Sequence, residues 1–76
     1  MRNREIRLQA TEHRSAHEAL QHLAVSGDDR AVLVGSKYLT LSQAEADRLA
    51  AMGVEFAYLV HHRPTGRIMT IPVNER

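Results

Sequence analysis

From Leu41 to Val73 the spacing of apolar and polar positions changes period, and each change marks an element. Ser42-Gln43-Ala44-Glu45 has the form of a capping box, with Leu41 and Ala46 at the two positions of a hydrophobic staple. Apolar positions then keep helical spacing through Leu49 and Met52, and Gly53 stands where a helix C-cap belongs. Val54 to His62 is rich in strand-forming residues. Arg63-Pro64-Thr65-Gly66 follows as a turn, in which Pro presets the first position and Gly supplies positive φ. Arg67 to Val73 returns as a strand. Pro72 cannot donate to a ladder, which places that strand at a sheet edge.

The N-terminal half carries the same kinds of signal. Residues 5–10 alternate strictly, with Ile6, Leu8 and Ala10 on one side, the period of a half-buried strand. Ser15-Ala16-His17-Glu18 is another capping box. Ala16, Ala19, Leu20, Leu23 and Ala24 then form an apolar helical stripe that ends at Ser26-Gly27, with Gly27 suited to a left-handed cap. Ala31 to Val34 is a continuous apolar run, as in a strand covered on both faces. Gly35-Ser36 leads into Lys37 to Leu41, the pattern of a type II′ hairpin.

The order is β-α-β-β-α-β-β, and the expected class is a single α+β domain over residues 1–76. It corresponds to a ferredoxin-like split β-α-β arrangement with an added C-terminal edge strand and both helices on one sheet face. That layout puts the second strand at an edge, whereas Ala31 to Val34 has the composition of a central strand.

A loop of Pro64-Thr65-Gly66 would pair Arg63 with Arg67. His61, Leu59 and Ala57 would then face Met69, Ile71 and Val73 on one side of the hairpin. Phe56, Tyr58, Val60, His62, Ile68 and Thr70 would share the other. Both sides are apolar, and helices on one side leave the other bare. The expected interface is therefore Phe56, Tyr58, Val60 and Ile68, with Tyr58 near its centre, because aromatic side chains concentrate binding energy at such centres.

Composition narrows the chemistry. A chain of 76 residues builds a modest core, and without Cys it has neither disulfides nor thiolate metal ligands. No window approaches the roughly 20 apolar residues of a membrane span, and no apolar run follows the basic start. A cytoplasmic protein without membrane contact is the expectation. Ten basic against nine acidic residues is too even a balance to demand a nucleic-acid partner, although nine of the ten are Arg.

The candidate reactive groups do not assemble into a motif. His13 and His17 would share a helix face if the first helix began at Thr11 or Glu12, but His61 and His62, adjacent on a strand, point to opposite sides. No H-E-x-x-H, G-x-S-x-G or complete phosphate-loop pattern is present. No metal, cofactor or catalytic residue is expected. Phe56, Tyr58 and Tyr38 near Arg would suit an RNA-binding sheet, but they also suit a small core. Tyr38-Leu39-Thr40, Gln43-Ala44-Glu45-Ala46 and Gly53-Val54 together resemble the opening of excisionase-type winged-helix domains. In that family a recognition helix follows. Here Glu55 to Val60 is strand-like and lacks basic side chains, so the likeness stops there and family membership is not claimed.

These features point to a non-enzymatic interaction or regulatory module that pairs with another protein or, as a homodimer, with itself. The alternative is a nucleic-acid-binding module in which His62, Arg63 and Arg67 at the hairpin tip contact phosphates.

Overall fold

The computed structural model describes residues 9–75. The elements are β1 (Ala10–His13), α1 (Ala16–Val25), β2 (Arg30–Val34), β3 (Lys37–Leu41), α2 (Gln43–Ala51), β4 (Phe56–His62) and β5 (Arg67–Val73). Ile6 and Leu8 of the expected first strand lie outside the described residues. Within them, pairing begins at Ala10 and continues to His13.

Both helix starts are capped as the sequence suggests, but in neither does the glutamate complete the box. Ser15 Oγ accepts from Glu18 N–H at 3.1 Å, while the Glu18 carboxylate takes the N–H of Arg14 at 3.2 Å. Ser42 Oγ accepts from Glu45 N–H at 3.2 Å, and the Glu45 carboxylate turns outward to Arg48 at 3.0 Å. Asp29 Oδ2 accepts from Gln43 N–H at 3.0 Å, so the start of α2 has a further acceptor from the loop before β2.

The helix ends differ. Gly53 has φ 76°, with Gly53 N–H to Ala50 C=O and Val54 N–H to Leu49 C=O, both at 3.1 Å, which is a Schellman closure. The left-handed cap expected at Gly27 does not form. Ser26 ends α1 in extended backbone, and its Oγ accepts from Asp28 N–H at 3.1 Å, turning the chain without positive φ.

The sheet has five antiparallel strands in the order β1-β3-β2-β4-β5. The ferredoxin-like expectation is met only in part. β3 does lie between β1 and β2, which α1 connects, as a split β-α-β requires. But β2 is the middle strand and not an edge, because β4 docks on its free side. The apolar run in β2 explains the choice: Ala31 and Val32, on opposite faces, are 1% and 0% exposed. β5, with Pro72, is an edge strand as expected.

The helices do not share a face, which corrects the sequence reading. Val32, Leu41 and Phe56 cluster with Leu49 of α2, and Ala31 and Leu59 cluster with Ala19 of α1. Val32 and Ala31 are neighbours on one strand and point oppositely, so α2 covers one face and α1 the other. Burial of each fully enclosed Leu or Val contributes roughly 1.5–3 kcal/mol. Thr40, fully buried on the α1 face, has its Oγ1 3.0 Å from Nε2 of His13. At the other end of the sheet, Asn74 takes a left-handed conformation (φ 58°). Its side-chain amide donates to the carbonyls of Ala50 and Val54 at 3.0 and 3.1 Å, fastening the end of β5 to the end of α2.

Candidate functional site

The β4–β5 hairpin pairs His62 with Arg67, His61 with Ile68, Val60 with Met69, Leu59 with Thr70 and Tyr58 with Ile71. The loop is Arg63 to Gly66, one residue longer than the sequence reading took it to be. His62 C=O accepts from both Thr65 N–H and Gly66 N–H, at 3.2 and 2.7 Å. Gly66 has the expected positive φ, 73°. Thr65 Oγ1 accepts from Arg67 N–H at 3.2 Å and lies 3.0 Å from Nδ1 of His62. This internal bonding favours the longer loop over the expected pairing of Arg63 with Arg67.

A slip of one residue moves every side chain of the returning strand to the other face. Ile68 therefore leaves the set in which it was expected and packs on the α1 side with the cluster of Ala19, Ala31 and Leu59. Met69, Ile71 and Val73 take its place beside Phe56, Tyr58 and Val60. The four expected interface residues thus do not form one surface. Phe56 is 4% exposed and belongs to the core under α2, with its ring edge-on to Tyr58 at 5.4 Å. Tyr58 is half-buried, with the guanidinium of Arg30 4.7 Å above its ring. Arg30 is held there by its Nε–H to Oε1 of Gln43 at 2.7 Å, and Gln43 Nε2 donates to Asp47 at 2.9 Å.

What stays open is the outer half of this face. Val60 is half-buried, and Met69 and Ile71 are 45% and 50% exposed. β2 pairs with β4 at Tyr58 and Ala57, and continuation of that register sets Arg30, the first residue of β2, beside Val60. Beyond Val60 the hairpin is a ribbon without a further strand beside it. The sequence reading missed Met69 and Ile71. A count of the loop as four residues would have found them.

At the tip, His61, His62, Arg63 and Arg67 are all exposed. Neither Arg63 nor Arg67 has a carboxylate partner among the described residues. The ring of His62 is engaged by Thr65, which leaves Arg63 and Arg67 as the free cationic groups there. His13 sits in β1 and His17 in α1, so they do not share a helix face. The ring near His13 is instead that of His22, at 4.8 Å. No group of three or more His, Asp or Glu side chains converges among the described residues. No helix among them is long and apolar enough to cross a membrane.

Comparison with protein families, with curated proteins and with solved structures finds no match to this chain.

Proposed function

We propose that this domain is a non-enzymatic interaction module that self-associates through the outer face of its β4–β5 ribbon. The observation that carries the reading is the exposed pair Met69 and Ile71 on the edge strand, beside Val60 of β4 and outside the cluster under α2. The pattern is self-complementary. A second β5 laid antiparallel about Thr70 sets Met69 opposite Ile71 of the second copy, and the reverse, which is the isologous contact of a two-fold dimer. Pro72 removes one donor from this edge, so apolar side chains carry the contact more than a backbone ladder does.

Sedimentation across a wide concentration range tests the proposal. The wild type is expected to shift from monomer to dimer. Ile71→Asp is expected to remain monomeric with an unchanged circular-dichroism spectrum, because Ile71 is half exposed and supports no core cluster. A wild type that stays monomeric to near-millimolar concentration refutes it.

A second reading rests on the unpaired Arg63 and Arg67 at the projecting tip: phosphate contact with a nucleic acid. It requires binding that weakens with salt and that Arg63→Ala with Arg67→Ala reduces. Loss of both contacts would lower the salt slope by about two.

A further inference from the structure

A cavity of about 350 Å³ opens between β1, β3 and the C-terminal end of α2, on the sheet edge away from the ribbon. It lies near the lower end of the about 300–1,000 Å³ range in which small ligands bind. Val34, Leu39, Leu49 and Val54 line it, and Leu49, 1% exposed, forms its floor. Ala10 and two charged side chains, Glu12 from β1 and Lys37 from β3, complete the lining. Glu12 stands opposite Leu39, and Lys37 lies two positions back along β3 on the same face. Such diagonal neighbours lie about 7–8 Å apart, their Cβ atoms somewhat closer. The two groups nevertheless make no ion pair, and neither has another partner among the described residues.

We propose that this cavity binds a small zwitterion with an apolar side chain, the chemistry of an apolar α-amino acid. The ligand's carboxylate meets the ammonium of Lys37, its ammonium meets the carboxylate of Glu12, and its side chain lies on Val34, Leu39, Leu49 and Val54. Any direct contact between two exposed side chains of opposite charge is worth little in water, so a ligand displaces it at small cost. Charge-assisted hydrogen bonds beside an apolar wall are the stronger alternative. The site is separate from the β4–β5 ribbon, and its occupation does not depend on self-association.

L-leucine is the probe, titrated into the full chain and followed through backbone amide resonances. Saturable shifts are expected at Val34, Leu39, Leu49 and Val54, with Met69 and Ile71 unmoved. 4-Methylpentanoate lacks only the ammonium and isoamylamine lacks only the carboxylate. Each is expected to bind at least about tenfold more weakly, the loss of one charge-assisted contact. Lys37→Met should bring leucine down to the level of isoamylamine, and Glu12→Gln should bring it down to that of 4-methylpentanoate. Both positions are exposed, so the fold should persist, as circular dichroism will show. Absence of saturable shifts at the cavity, or leucine binding unchanged in both variants, overturns the proposal.

Discussion

The β2–β3 and β4–β5 hairpins are both antiparallel, and both are closed by a turn with a positive-φ glycine, Gly35 at 62° and Gly66 at 73°. Their circumstances are opposite. The first has a two-residue turn, occupies the interior of the sheet and is covered by α1 on one face and α2 on the other. The second has a four-residue loop, is covered on its α2 face only near its base and carries its exposed apolar residues on the outer strand. Strand pairing alone therefore does not decide what is core in so small a domain. A helix on each face decides it, and the ribbon extends past what two short helices can cover.

The largest effect that tests this contrast is Leu49→Ala against Ile71→Ala. Leu49 is enclosed under the central hairpin, and its truncation should cost about 2–5 kcal/mol in denaturant unfolding. Ile71→Ala, measured at concentrations where the protein is monomeric, should stay within about 0.5 kcal/mol. Equal costs would mean that the ribbon is as covered as the centre.

Gly66→Val should come next, at about 1 kcal/mol or more. A β-branched residue resists positive φ, and open space around the position does not relieve that strain. A thermal midpoint that does not move would break the assigned loop.

The smallest effect should be that of Ser42→Ala, at the low end of the roughly 0.5–2 kcal/mol typical of N-caps. Asp29 already satisfies one N–H at that helix start, and Glu45 is occupied by Arg48. Ser15→Ala should cost more in the same unfolding assay, since its backup is the exposed bond from Glu18 to Arg14 N–H. The reverse order would show that Asp29 contributes little to α2.

The same contrast explains what could be read in advance. Of the described elements, all but β1 are legible in the sequence, because Ser15, Ser42, Gly53 and the Pro64–Gly66 turn punctuate the chain by local chemistry, whereas the alternation of residues 5–10 meets Ala10–His13 only at Ala10. The edge position of β5 followed from Pro72 alone. The differences that matter most for the exposed face lie in the hairpin loop and in the helices. The sequence admits a three-residue loop as well as the observed four, and only the bonds of Thr65 and Gly66 to His62 C=O select between the two. That single residue sent Ile68 to the wrong face and hid Met69 and Ile71. The faces of the helices were also misassigned. Alternation along a strand says which residues travel together, not which helix covers them. Yet the pattern itself held the answer: both sides of the C-terminal hairpin are apolar, and a helix on each side of the sheet serves both. The charged pair in the cavity left no motif, because Glu12 and Lys37 meet only through the β1–β3 register.

Asn74 has a mechanical consequence. β5 is held along its length by β4 alone, a geometry that would unzip pair by pair under a pull directed away from the sheet. The strand end that would open first, Val73, is the one next to the Asn74 amide, whose two bonds to the end of α2 must break before any β4–β5 pair there is loaded. Under a pull on the chain beyond Asn74, resistance at this end thus begins with one residue, ahead of the Phe56–Val73 pair. Once it yields, the load passes to Val73 and Phe56, and the outer strand can peel as far as the Gly66 turn while the central hairpin stays folded.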